Sequence, residues 1–363
     1  MKILLACSGL VAAARAVAVR GVNLGGWLVL ERYIRPSIME VGFGPDVFPD
    51  DVDGQGYPVD QWTYATLSNS LGGKNATRER LTPHWDTWVT EDDIVTLRRA
   101  GITHVRVPIG HWILGDIADD EPYVDGEWWY LARAARWCQA HGMQIWLDLH
   151  TAPGSQNGFD NSGHLMPVVQ DPITHRVISG TPPQWSLHPE NVARTKRILQ
   201  AIIDEVAADD ALRATVTGFG PLNEPFAFTK PSVLKEYYDA ALAIIRGGLG
   251  DEVTVYIGDM FNSTVFNNYW REPADGAYVD AENVLLDSHI YHCFFPAWRR
   301  YTGWMHIHSV CSERDEGRPR PPGTQIHDID NIAQCCNAPP GDPDGTRARA
   351  RRARAFARAR RRG

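Results

Sequence analysis

Several polar residues in this sequence stand where apolar runs stop, and their types suit proton transfer. A run through Val216, Phe219 and Leu222 ends at Asn223-Glu224, and Pro225 blocks its continuation. A carboxyl there, hydrogen-bonded and partly shielded from water, can hold its proton near neutral pH and act as a general acid. Arg106 ends an otherwise apolar stretch, where a bare guanidinium is costly unless it faces a carboxylate. His150 and His289 close two further runs, and Asn223 could bond a sugar hydroxyl. Any one of these has a bland reading: a solvated turn carboxylate, a structural ion pair, a satisfied histidine. As a set they suit glycoside hydrolysis, in which one carboxyl protonates the leaving oxygen, a second attacks the anomeric carbon, and fixed donors hold the hydroxyls.

Such residues need strands to carry them to one rim. Thr90 caps a helix whose first turn holds Glu91, Asp92 and Asp93 at the positive end of its dipole, and Gly101 ends it. Ile102 to Pro108 reads as a strand, Glu127 to His141 as a helix and Met143 to His150 as a strand. A loop to about 187 precedes a helix over 189–206. The strand ending at Glu224, a helix over 231–247 and a strand over 253–257 follow, then loop and short helix over 259–283 and a strand over 284–290. Residues 36–88, rich in Pro, Gly and Asp, read as a long loop excursion with short helices. Strands alternating with helices predict a parallel sheet. Six strands ending at Asn23, Arg106, His150, Glu224, Asp259 and His289 favour an α/β fold of the (β/α)8 TIM-barrel type, with the site at the strands' carboxyl ends.

The 363 residues suffice for one such barrel. Net charge is −8, but nine arginines and no acid lie in 346–363. The remainder holds 27 basic against 44 acidic groups, and that acidic body argues against nucleic acid as partner. Thirteen Trp, twelve Tyr and eleven Phe supply rings on which sugar faces can stack, or simply an aromatic core. Lys2, the apolar run Ile3 to Ala14 and small residues near 16–18 read as a secretory leader over 1–18, so a secreted, extracellular or wall-associated location is expected. No other run is long and apolar enough to span a bilayer. Beyond Cys7 there are five cysteines, an odd number without zinc-site spacing.

The segments Arg20 to Glu31 (RGVNLGGWLVLE), Val105 to Gly110 (VRVPIG), Asp148 to His150 with Ala152 to Gly163 (DLH, APGSQNGFDNSG), Leu222 to Pro225 (LNEP) and Asp287 to Phe294 (DSHIYHCF) are long, ordered and correctly spaced. Together they resemble the exo-β-1,3-glucanases of glycoside hydrolase family 5 from fungi and oomycetes, over about 20–311. The resemblance implies that Glu224 is the acid/base, oriented by Asn223, and that Arg106 holds the nucleophile's carboxylate. It implies that His150, His289 and Tyr291 line the subsite of the cleaved sugar. Glu31, Asp160 and Asn161 would bond the terminal glucose, and Phe159 and Phe294 would clamp the next sugar. The expected protein is a secreted, monomeric, retaining exo-hydrolase of β-1,3-glucan that uses no metal or cofactor.

The family's nucleophile is the Glu of a Gly-Glu-Trp segment ending the seventh strand. Here the one Gly-Glu-Trp is Gly126-Glu127-Trp128, which opens a helix, so Glu127 reads as a dipole partner and the nucleophile is unassigned. After Glu282 the glutamates are Glu313 and Glu316, in a polar segment with no strand before it. From Ser312 the chain turns Pro- and Arg-rich without either period. The expected organisation is a leader over 1–18, a barrel over 19–311 lacking its last two strands, and an atypical Pro/Arg-rich tail over 312–363, read as a truncated or misread frame in preference to a disordered basic extension or an Arg-rich anchor to an acidic surface. A barrel short of two strands has open edges, so the chain as written is expected to be unstable or inactive. The alternative is a non-catalytic β-glucan-binding protein.

Overall fold

The computed structural model describes residues 19–40, 58–170, 177–266 and 283–289, with Thr302 and Met305 besides. The leader expected over 1–18 and the tail expected over 312–363 lie outside the described residues. In chain order the elements are β1 (Gly21–Asn23), α1 (Pro36–Glu40), α2 (Gln61–Thr87), α3 (Glu91–Arg99), β2 (His104–Ile109), α4 (Trp128–His141), β3 (Gln144–Leu149), β4 (Val168–Gln170), β5 (Val177–Gly180), α5 (Pro189–Ala208), α6 (Asp210–Thr215), β6 (Val216–Gly220), α7 (Pro231–Leu249), β7 (Thr254–Gly258) and β8 (Val284–Asp287).

Six strands form one parallel sheet in the order β1-β2-β3-β6-β7-β8, and β4 and β5 pair as a separate antiparallel ribbon. Every neighbour in the large sheet is the next strand of that sheet in sequence. A doubly wound sheet reverses its order at a switch point, and none occurs here. The six strands are an arc of a (β/α)8 barrel.

Side chains alternate across each strand, which separates a core from a site. Val105, Val107 and Ile109, then Ile145, Leu147 and Leu149, then Val255 and Ile257 are all buried on the helix side. They meet the apolar stripes of the helices: Ile198, Leu199, Ile202 and Val206 on α5, and Leu234, Tyr237, Tyr238, Ala241 and Ile245 on α7. Each such aliphatic group removed from water contributes about 1.5–3 kcal/mol. The opposite face carries Arg106, Trp146, Asp148, Gly218, Gly220 and Tyr256.

The two glycines of β6 have a packing reason. A Cβ on Gly218 would lie 2.6 Å from the Trp146 indole, and one on Gly220 would lie 2.4 Å from the Tyr256 ring. Without them those rings stack, centroids 5.1 Å apart, and Tyr256 Oη donates to the Leu147 carbonyl at 2.7 Å.

Several expected boundaries shift. Much of 36–88 is ordered helix: α2 is 27 residues long, opened by a reciprocal Asp60–Thr63 capping box. Gly73 (φ 77°) breaks it into two segments, and Pro83 lies inside the second. Each segment buries one face, Gln61, Tyr64, Ala65 and Ser68 in the first and Thr77, Leu81, His84 and Trp85 in the second, and because half of these residues are polar the apolar periodicity is weak. Arg106 is the third of six residues in β2, not its end. β6 stops at Gly220 and β8 at Asp287, so Glu224 and His289 stand on the turns beyond. The loop expected up to 187 contains the β4–β5 ribbon.

Candidate active site

The strand order brings Asn23, Arg106, His150, Asn223, Glu224 and His289 to one end of the arc. With Glu31 and Asn161 they line a cavity of about 700 Å³. Arg106, 3% exposed, is held on three sides. It donates to Asn23 Oδ1 at 3.0 Å and Asn223 Oδ1 at 2.7 Å, and pairs with Asp148 Oδ2 at 3.0 Å. Among the described residues the carboxylate paired with Arg106 is Asp148, one strand over. Asp148 also meets His150 Nδ1 at 2.6 Å, which fixes that ring; among the described residues its buried Nε2 has no partner. The buried Asn223 Nδ2 is equally unpartnered. Both atoms belong to residues lining the cavity, where a polyhydroxyl ligand could satisfy them.

Glu224 occupies the left-handed region, φ 44°, rare for a residue with a Cβ. Such strain costs on the order of 1–3 kcal/mol and persists only where surroundings enforce it. Asn157 Nδ2 donates to the Glu224 carbonyl at 3.0 Å, and Gln156 Nε2 bridges the carbonyls of His150 and Asn223 at 2.9 Å each. The side chain is fixed as firmly. Asn161 Nδ2 donates to Oε2 at 2.7 Å and His289 Nδ1 meets Oε1 at 2.6 Å. His289 Nε2 meets Asp287 Oδ2 at 3.1 Å. An imidazole with a carboxylate at each nitrogen must donate from both to satisfy them. Burial opposes its charge, yet the bonds to Asp287 and Glu224 outweigh burial and raise the His289 pKa well above the ordinary value.

Glu31 and Asp160 complete the acidic lining. Glu31 accepts from the Gly26 amide at 3.0 Å, in the Gly25-Gly26 turn after β1. Burial raises its pKa, while His150 and Arg106 oppose the rise. Asp160 stands on a single 3-10 turn, Asp160–Ser162. Burial raises it too, with the nearby Glu224 charge adding to the effect. Asp60 ties this turn to α2: its carboxylate accepts from the Leu165 amide, while Trp62 stacks on His164 with centroids 3.9 Å apart. Phe159 is 38% exposed at the rim, 5.3 Å from Phe226, which in turn meets Phe261 edge-on at 5.3 Å. Tyr291 and Phe294, expected in the site, lie outside the described residues.

Asp148, Asp287, Phe226 and Phe261 are given no role by the sequence, and Asn23, expected at the rim, gains one as a partner of Arg106. A signal existed for two of them: Asp148-Leu149-His150 and Asp287-Ser288-His289 are Asp-x-His pairs at strand ends, and extended backbone puts residues two apart on one side. Among the described residues no cluster of His, Cys, Asp and Glu could hold a metal ion.

Residues 52–307 match the Cellulase family, glycosyl hydrolase family 5. The chain belongs to family 5. It is 36% identical over 300 residues to glucan 1,3-beta-glucosidase of Kluyveromyces lactis, covering 82% of this chain and 63% of that one. It is 37% identical over 282 residues to the glucan 1,3-beta-glucosidase of Lachancea kluyveri, covering 76% and 56%. The chain thus spans about three-fifths of the length of these relatives. Among solved structures, rutinosidase from Aspergillus niger superposes with a TM-score of 0.60 at 18% identity, over 82% of this chain and 75% of that one, which shows a shared fold.

Glu127 requires a correction. It was expected as a dipole partner in the first turn of a helix. It instead sits just before α4, makes no capping bond and is fully buried. Trp112 Nε1 donates to its Oε1 at 3.0 Å, and Oε2 has no hydrogen-bond partner among the described residues. Burial pushes its pKa up to about 8, against the Trp112 bond. A carboxyl raised in the folded state contributes fully below its unfolded value of about 4.5, and that contribution is lost as pH climbs through 8. Glu127→Gln keeps the shape and removes the ionisation. Its stability relative to the parent should therefore rise from pH 5 to pH 9, by on the order of 3–5 kcal/mol, in urea unfolding at the two pH values. An unchanged difference would show that Glu127 is ionised throughout.

Proposed function

We propose that the chain carries the sugar-binding and proton-transfer machinery of a retaining exo-β-1,3-glucosidase. The observation that carries this reading is the Glu224 carboxyl, fixed between Asn161 Nδ2 and His289 Nδ1 on a strained backbone at the cavity wall. Family membership and the two named relatives support it. In this reading the proton between His289 Nδ1 and Glu224 passes through the Glu224 carboxyl to the glycosidic oxygen, and Glu224 later takes one from water. His289 shares a proton with Glu224 across 2.6 Å, so the pair can adjust as charge develops on the leaving group. His150 Nε2 and Asn223 Nδ2 bond the hydroxyls of the sugar being cleaved. Glu31 and Asp160 take those of the terminal glucose, and Phe159 stacks on the sugar beyond.

One observation favours a second reading, a β-glucan-binding protein without turnover. A retaining mechanism needs a second carboxyl about 5–5.5 Å from the first. The Gly-Glu-Trp glutamate of this chain, Glu127, is buried against Trp112, and the sequence has no such segment after Glu224. A 2-deoxy-2-fluoro-β-glucoside with an activated leaving group separates the two. In an enzyme it forms a stable glycosyl-protein, seen as one added fluoroglucosyl mass. An intact mass that stays unchanged while laminarin still binds would decide for the binder.

A further inference from the structure

The barrel mouth is not the only concave surface with aromatic lining. A second groove, also about 700 Å³, runs along the outside of α4, lined by Trp128, Trp129, Arg133, Arg136, Asp125 and Asp209. None of these residues lines the cavity around Glu224. We propose that this groove is a second binding surface for a β-glucan chain, which deepens the glucan reading above and rests on it.

Trp129 is 59% exposed, yet it is not loose. The Arg133 guanidinium lies 4.9 Å from its ring centroid, and also 5.0 Å from Tyr130 and 4.8 Å from Trp137. Asp86 holds that guanidinium at 2.6 Å, and Tyr130 packs edge-on against the indole at 4.9 Å. The ring is therefore ordered before any ligand arrives, so little freedom is lost on binding. Its exposed surface is what the flat, C–H-bearing side of a pyranose would cover.

The charges around it select the ligand class. Arg136 pairs with Asp209 at 3.1 Å, Asp125 with Arg78, and Arg133 with Asp86. The groove thus offers many donors and acceptors with its charge already balanced. A phosphate or nucleic acid would meet Asp125 and Asp209 without a surplus of cations. A neutral polyol finds partners for its hydroxyls at both signs.

Its position gives it a use. β2 runs towards the rim that carries the active site, and α4 returns from it, so the first turn of α4 with Trp129 stands at the rim end. Arg136 lies seven residues further along, about 10 Å. A glucan held along this line keeps its chains near the mouth and raises their effective concentration there.

The test is native electrophoresis of the full chain through gels with and without laminarin, comparing the parent with Trp129→Ala and Trp129→Tyr. Retardation measures binding. Trp129→Ala should weaken it roughly threefold to tenfold, and Trp129→Tyr should restore most of it. Far-ultraviolet circular dichroism checks that the variants are folded. Binding of laminaribiose, too short to bridge to the groove from the mouth, should be unaffected by either variant. Equal retardation of parent and folded Trp129→Ala would overturn the groove and leave the glucan reading standing. No retardation of the parent would overturn both.

Discussion

Glu224→Gln should lower glucose release from laminarin by roughly 10²–10⁴-fold, the usual contribution of a positioned general acid. The substitution keeps the shape of the side chain and the bond to Asn161 but removes the proton that the leaving sugar needs. It should leave binding of laminaribiose nearly intact, because the hydroxyl contacts come from other residues. A glucoside whose leaving group is a weak base needs no proton, so its cleavage step should suffer far less. The comparison is made with initial rates on both substrates, and an equal loss on the two would assign Glu224 to folding. Glu224→Gln also removes one of the two carboxylates that raise the His289 pKa. That pKa should therefore fall in the variant, as the carbon-bound ring protons report by NMR.

The largest effect on stability should come from Arg106→Leu. Arg106 and Asp148 are 3% and 1% exposed and pair at 3.0 Å. Removing the guanidinium leaves a buried carboxylate that, among the described residues, is paired with His150 alone, and deprives Asn23 and Asn223 of their donor. Breaking one side of a buried pair typically costs about 3–5 kcal/mol. Urea unfolding should show that loss, and Arg106→Leu combined with Asp148→Leu should recover part of it. If the double variant is no more stable than Arg106→Leu alone, the pairing account fails. Arg106→Lys should restore charge but not the forked bonds to two asparagines.

How far could the sequence alone lead? The strand–helix alternation was legible because Val, Ile and Leu sit at period two in the strands and at helical spacing in α5 and α7. Glu224, Arg106, His150 and His289 were legible because polar groups interrupt apolar runs. Other features depend on distant partners. Glu127 resembles any first-turn glutamate until Trp112 folds over it. Asp148 looked like a strand residue because the guanidinium that faces it arrives from the neighbouring strand. The left-handed backbone at Glu224 has no sequence mark, since the residue is not glycine; the bonds from Asn157 and Gln156 help fix it. The length of α2 escaped because its stretch is rich in Gly, Pro and Asp and its buried faces are half polar; Gly73 does divide it, whereas Pro83 is carried inside the second segment.

The central claim is that Glu224 transfers the proton in a retaining cleavage. The most direct measurement is product analysis of Glu224→Ala acting on 2,4-dinitrophenyl β-glucoside in sodium azide. With the acid/base removed, the small anion can enter the vacated space and intercept a glycosyl-enzyme without needing base assistance. The account predicts β-glucosyl azide in the variant and glucose in the parent. Laminarin hydrolysis by the variant at the parent's rate, with no azide product, would contradict it.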